Sequence, residues 1–305
     1  MASATDLLAV VRTMKAVAAA SIGSYEQAVR ALGDYYKTLQ WGLSACLREQ
    51  QHLGLLTKPA AKLSNTANSH PVIQIIVFGS DQGLVGQFND AIAERAMAFI
   101  RQLAEPVVLW VVGERARLRL EDSGFGINAF FNVPTSIESI APLIERMQLA
   151  IQPDTYALYL FHHQTQSSDG FIATQQQLLP LDNNWQMELL KTAWPTKNLP
   201  QIIYHHRVYE PETSLATERK RAEVASMATL HKLIHEYLFI ALYKACAESQ
   251  GAENASRLSA MERAEKNIEE LLNNQHNTYH RLRQNAIDEE LFDVITGYEA
   301  LSAKS

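Results

Sequence analysis

The sequence predicts an α/β chain in which a long helix at each end flanks an inserted domain of alternating strands and helices. Three observations carry this reading. All ten prolines lie between Pro59 and Pro211. Proline removes a backbone donor and clashes with the preceding turn, so proline-free ends permit long uninterrupted helices. The first end repeats apolar residues every seven positions. The middle alternates short apolar runs with helical patterns, as a mostly parallel sheet covered by helices requires. The predicted parts are residues 1–58, 59–211 and 212–305.

In the first part Val11, Ala18, Tyr25, Leu32, Leu39 and Cys46 recur at heptad spacing. The companion position holds Lys15, Ile22, Val29, Tyr36 and Leu43, apolar in all but the first. A heptad sustained this long predicts a coiled-coil seam. Thr5 and Asp6 are the candidate N-caps. The last part reads as helix from Leu215 to Ala303, roughly 130 Å at 1.5 Å per residue. Gly251 and Gly297 are its candidate weak points. Its seam turns polar along its length: Met261, Ile268 and Leu271 are followed by Gln275, Thr278 and Asn285. Such a seam suits either a surface that re-pairs against something else or a helix loosely fitted to one partner.

Between the ends, Val72–Gly79, Val107–Gly113, Ile127–Val133 and Tyr156–His162 are predicted strands, with Gly170–Leu179 as a hairpin partner. Asn89–Leu103 and Ser136–Ile151 are predicted helices. Lys58–Ser69 and Asp182–Pro200 read as surface connections.

Composition narrows the function classes. With 47% hydrophobic and 20% charged residues, the chain is neither disordered nor collagen-like. The net charge of −6 lacks the basic surplus that sequence-independent nucleic-acid binding needs, so no nucleic-acid partner is expected. Cys46 and Cys246 form no CxxC pair and suit a reducing compartment. No apolar run approaches the ~18 residues of a membrane span. MASATDLLAV lacks the basic region and cleavage site of a signal peptide.

The residues that could carry chemistry form no catalytic set. The turn Gly79-Ser80-Asp81-Gln82-Gly83-Leu84-Val85-Gly86 has the spacing GxxxGxxG, neither the dinucleotide fingerprint nor a P-loop. A structural strand-to-helix turn is the preferred reading, with a nucleotide site as its rival. His231 and His235 share a helix face, but Lys232 stands where a zinc protease needs glutamate. His162–His163 and His205–His206 are adjacent pairs whose side chains diverge on a strand. With no cysteine or carboxylate in register, no metal or cofactor is expected. A GxSxG elbow is missing as well. Arg219-Lys220-Arg221, bounded by Glu218 and Glu223, reads as a solvated helix face. The dispersed cations Arg12, Lys15, Arg257 and Arg283 are candidate contacts for an acidic partner. What emerges is a helical shaft with an α/β lobe and no active site of its own.

Five segments resemble the gamma subunit family of F-type rotary ATP synthases. Met14-Lys15-Ala16-Val17-Ala18-Ala19-Ala20 is similar to the family's MKMVAAAK run. Ser80–Gly86 is similar to SDRGLCG, and Tyr209-Glu210-Pro211 to YEP. Glu248–Met261 (ESQGAENASRLSAM) resembles ESxASExxARMxAM, and Tyr279–Ile287 (YHRLRQNAI) resembles YNRxRQAxI. The order is right across nearly the whole chain. Ser21, Gln82, Val85, Asp288 and Tyr298 depart from the pattern, which implies a divergent or alternative branch.

The resemblance implies an antiparallel coiled coil of the two terminal helices with an inserted Rossmann-like α/β domain. It implies a non-catalytic rotor that couples ion flow through a membrane c ring to ATP synthesis or hydrolysis in a hexamer of alternating alpha and beta subunits. The expected partners are those alpha and beta subunits, the epsilon subunit and the c ring. The expected place is peripheral, on the cytoplasmic face of a bacterial inner membrane. Carried over residue by residue, Met14, Lys15, Arg257, Arg283, Gln284 and Glu290 would contact beta subunits, and Tyr209 and Glu210 would stand at the foot against the c ring. The rivals are a cytoplasmic coiled-coil scaffold without rotary partners and a nucleotide-dependent enzyme using the Gly83–Gly86 loop.

Overall fold

The computed structural model describes residues 2–52, 72–151, 155–166, 170–193 and 215–302. By internal contacts the chain divides into two units, residues 1–19 with 257–305, and residues 20–256.

The larger unit contains a five-stranded sheet. Its strands are β1 (Val72–Phe78), β2 (Val107–Val112), β3 (Ala129–Phe131), β4 (Thr155–Gln166) and β5 (Gly170–Leu179). They stand in the order β3-β2-β1-β4-β5. The first four are parallel to their neighbours, and β5 runs antiparallel along β4. A central first strand flanked by crossovers on both sides is the doubly wound arrangement. The helices among the strands are α2 (Phe88–Ile100), α3 (Glu114–Asp122) and α4 (Ile140–Ala150), with α5 (Asn183–Lys191) after β5.

Alternation along β1 explains how both faces are covered. Ile73, Ile75 and Val77 point to one side, where they cluster with Ile92, Ala96 and Met97 of α2 and Ala116 and Leu120 of α3. Ile76 and Phe78 point to the other side, into a cluster with Ile140, Ile144 and Met147 of α4. That second cluster also takes in the two terminal helices, α1 (Ala2–His52) and α6 (Leu215–Ser302), through Leu39, Leu43 and Leu47 and through Leu230, Ile234 and Leu242. Ile75, Ile76 and Val77 are fully buried. Each such side chain contributes about 1.5–3 kcal/mol, so β1 is costly to disturb.

Within this unit α1 and α6 run antiparallel. Tyr25 lies beside Gly251, Tyr35 donates to Glu236, Gly42 faces Leu233, and Gln50 meets Met227. In the smaller unit the same sense appears in ion pairs: Arg12 reaches Glu265 and Glu269, and Lys15 reaches Glu265 and Glu262. The heptad reading of α1 holds at the side chains. Val11, Ala18, Tyr25, Leu39 and Cys46 are buried and Leu32 is half-buried.

Several expectations are corrected. The helix α1 includes Ala2, so Thr5 and Asp6 lie inside it rather than at its N-cap. Residues 182–193 are not merely a connection: Asp182 accepts from the backbone N–H groups of Asn184 and Trp185 and caps α5. The helix α3 was not expected, because its nine residues, ERARLRLED, are mostly charged and bury only Ala116 and Leu120. The third strand shrinks to three residues, and β4 extends four residues past His162. Gly251 interrupts nothing, and α6 continues through it. One helix, Ser3–Gln51, holds an 18-residue stretch apolar enough by length and composition alone to cross a membrane. Arg12 and Lys15 interrupt the apolar residues of this helix, so no unbroken apolar run marks the stretch in the sequence. Lys58–Ser69 and the side chains of Arg219–Arg221 lie outside the described residues.

Candidate partner-binding surfaces

The glycine-rich turn between β1 and α2 is consumed by internal ties. At Gly79, a Cβ would lie 2.3 Å from the Cβ of Ala116 and 2.9 Å from Asn89 Oδ1, so only glycine fits there. The Ser80 N–H donates to Asn89 Oδ1 at 2.9 Å, and the Ser80 hydroxyl donates to the Gln82 carbonyl. Asp81 accepts from the backbone N–H groups of Glu114 and Val133, both at 2.9 Å, and so joins the turn to α3 and to the end of β3. Leu84 and Gly86 carry positive φ, 63° and 57°. That geometry presses Val85 inward, where it packs with Phe88 and Ala252. Its carbonyl accepts from the Ser256 hydroxyl. The turn therefore docks the lobe on α6. The Asp81 carboxylate and the Gly79 and Ser80 amides are committed to protein groups, which favours the structural reading of the loop.

A second joint was missed in the sequence. The His162 ring meets Glu248 with Nε2 to Oε2 at 3.0 Å, and Gln164 Nε2 donates to the same oxygen at 3.1 Å. Lys244 stands 3.7 Å from the other oxygen. Burial alone would raise the Glu248 carboxyl, but the His162 hydrogen bond, the Lys244 charge and Gln164 outweigh it and hold the carboxyl below its usual range. A carboxylate does reach this histidine, then, from a helix 86 residues away, and no local spacing could show it. The one available signal was that Glu248 heads a family-like segment. As expected for adjacent strand residues, His163 points the other way. It stacks on Phe88 at 3.9 Å between ring centroids and meets Phe171 edge-on.

The candidate contact residues fall in two environments. Met14, Lys15 and Arg257 are half-buried in the smaller unit. Lys15 is committed there to Glu265 at 3.0 Å, and Arg12 is committed to Glu265 and Glu269, each at 2.7 Å. These cations bind the two helical segments of that unit to each other, and their hydrogen bonds hold the Glu265 carboxyl below its usual range. Arg283, Gln284 and Glu290 stand on the part of α6, residues 273–296, in which every side chain is exposed. Tyr209 and Glu210 lie outside the described residues.

That stretch also exposes large apolar side chains that the sequence reading passed over. Tyr279, Leu282, Ile287, Leu291, Phe292, Val294 and Ile295 are all 47–69% exposed. Their signal was present in the run LFDVI, which departs from heptad spacing. Apolar side chains concentrated at one place, rather than scattered, mark an interaction surface.

Among the described residues, no group of three or more His, Cys, Asp or Glu side chains is arranged to hold a metal. An α/β lobe packed against two antiparallel helices, and a stretch of α6 whose apolar and charged side chains are exposed, define the chain as an α/β protein with a candidate interaction surface. The family model described as ATP synthase matches residues 1–301. The chain is 26% identical to the ATP synthase gamma chain of Anaeromyxobacter dehalogenans, over 90% of this chain and 96% of that one. It is 25% identical to that of Sorangium cellulosum, over 96% and 94%. In fold it resembles a chain of the Tetrahymena thermophila mitochondrial ATP synthase central stalk and c-ring structure, with TM-score 0.53 and 17% identity, covering 84% of this chain and 99% of that one. It also resembles a chain of the Euglena gracilis mitochondrial assembly of OSCP, F1 and c-ring, with TM-score 0.51 and 15% identity, over 93% and 96%. The chain belongs to the ATP synthase gamma family. None of these likenesses supports the scaffold reading.

Proposed function

We propose that this chain is the central-stalk rotor of an F-type ATP synthase, a subunit that hydrolyses nothing itself. It couples ion flow through a c ring to ATP synthesis or hydrolysis in the surrounding hexamer. The observation that carries this reading is the exposed stretch 273–296 of α6, with apolar side chains interleaved with Arg283, Gln284 and Glu290. An isolated helix gains nothing from exposing Leu291 and Phe292, whereas a helix turning inside a ring of subunits uses all its faces. In this reading residues 1–58 and 212–305 form the coiled-coil shaft and residues 59–211 the lobe. The lobe and foot, with Tyr209 and Glu210, meet the c ring and the epsilon subunit. Arg283, Gln284 and Glu290, with Met14, Lys15 and Arg257 nearby, meet the beta subunits through charge-assisted hydrogen bonds that re-form at successive subunits. The complex stands on the cytoplasmic face of a bacterial inner membrane, and the chain is peripheral to that membrane.

Two measurements test this. A tagged chain recovered from native membranes should bring alpha, beta, epsilon and c subunits with ATPase activity; recovery alone, or only with itself, would remove the rotor reading. In the purified complex, Arg283→Ala with Gln284→Ala should lower ATP-driven ion pumping while leaving subunit stoichiometry unchanged. Unaltered pumping would refute the contact role.

A further inference from the structure

On the exposed stretch of α6 stand His276 and His280. Four residues apart, they occupy successive turns of one helix face. Their Nε2 atoms are 2.8 Å apart, and the rings meet edge to face at 84° with centroids 4.3 Å apart. A contact this close requires one Nε2 to carry a proton and the other to offer its lone pair. The two rings therefore already bring their Nε2 atoms together on an exposed stretch of helix.

That geometry is close to a chelate. Two imidazole nitrogens that each bind one ion at about 2.1 Å, at tetrahedral or square angles, stand roughly 3.0–3.4 Å apart. Opening the pair by a few tenths of an ångström lets a metal ion take the place of the shared proton, which moves to Nδ1 of the ring that held it, so that both rings offer Nε2 to the ion and carry N–H at Nδ1. Imidazole suits Cu²⁺, Ni²⁺ and Zn²⁺, whereas Mg²⁺ and Ca²⁺ prefer oxygen ligands. The pair is also distinct from the other helical couple, His231 and His235: both are exposed, but among the described residues no hydrogen bond or ring contact joins them. His280 stands where the family-like run has asparagine, so the couple is a feature of this sequence rather than of that motif.

We propose that His276 and His280 form a surface chelate for a borderline divalent transition-metal ion, with Cu²⁺ held more tightly than Zn²⁺ or Ni²⁺ and water completing the coordination. Gln284 continues the same face one turn on, so the ion would sit beside a residue assigned above to partner contact. The site itself does not depend on the rotor reading.

The test is a titration of the full chain with CuCl₂, followed by calorimetry and by electron paramagnetic resonance. One tight ion per chain is expected, with splitting from two imidazole nitrogens, reversed by EDTA. His276→Ala or His280→Ala should each weaken binding about 10²-fold, since losing one arm of a chelate forfeits its effective concentration. His231→Ala with His235→Ala should leave the tight site in place. Alanine favours helix and both positions are exposed, so far-ultraviolet circular dichroism of the variants should match the parent. Unchanged Cu²⁺ affinity in both single variants, or loss of the tight site with His231 and His235 instead, would overturn the proposal.

Discussion

At the scale of single residues, Gly79 and His163 show how closely the lobe is packed. A methyl group at Gly79 would overlap the Cβ of Ala116, part of a helix that cannot retreat without disturbing the Asp81 ties. Gly79→Ala should therefore destabilise the chain by about 1–3 kcal/mol, the usual cost of overpacking, read as a lowered denaturant midpoint with unchanged slope. His163 is buried between Phe88 and Phe171 with neither ring nitrogen hydrogen-bonded. Burial, helped by the neighbouring His162, pushes its imidazole down to about 3. The unfolded chain takes up that proton near pH 6.5, so between pH 6.5 and about 3 the unfolded state binds more protons and stability falls as pH is lowered. His163→Phe should flatten the loss of stability between pH 7 and pH 5, a range above that in which most carboxylates titrate. An unchanged slope in chemical denaturation would show that this histidine is not held neutral.

At the scale of elements, the pairing of residues 1–19 with 257–305 has a thinner basis than the pairing of α1 and α6 in the larger unit. Among the described residues, Leu8, Val11, Ala18 and Met261 are its buried apolar side chains, and Arg12 and Lys15 pair there with Glu262, Glu265 and Glu269. Because these ion pairs are open to solvent on one side, with Lys15 and Glu265 half-buried and Arg12 exposed, salt weakens them. Glu265→Gln should lower amide-exchange protection in residues 257–272 at low ionic strength, and the difference from the parent should vanish in 1 M NaCl. The Glu265 carboxyl is depressed in the folded chain, so its contribution is present above the ordinary carboxylate range and is lost as pH falls through the folded value. By contrast, residues 273–296 have no side chain buried, and their helical state rests on local propensity until something covers them.

At the scale of the whole molecule, the chain holds a well-packed lobe and an uncovered helix end in one sequence. Isolated, it should self-associate through Leu291, Phe292, Val294 and Ile295, and partner subunits should suppress that association. Leu291→Ser with Phe292→Ser should make the isolated chain more monodisperse in light scattering while reducing its capture by alpha and beta subunits. Improved behaviour alone with undiminished capture would mean that these side chains serve another contact.

Much of this was legible in the sequence, because it depends on local pattern. Proline placement marked the two terminal helices, heptads marked the buried seam of α1, and apolar runs marked the strands, since periodicity reports directly which side chains need burial. The family followed from short runs that keep their order along the chain. Only the tertiary structure decided how distant residues meet. It decided that Glu248 would reach His162, that Ser256 would reach the carbonyl of Val85, and that Asp81 would serve two backbone donors. It also decided that Arg12 and Lys15, candidates for an outside partner, would be committed to glutamates of the same chain. Sequence spacing specifies which face of an element a residue occupies, but the partner on that face is chosen when the elements pack, and in this chain those partners lie 33 to 257 residues away.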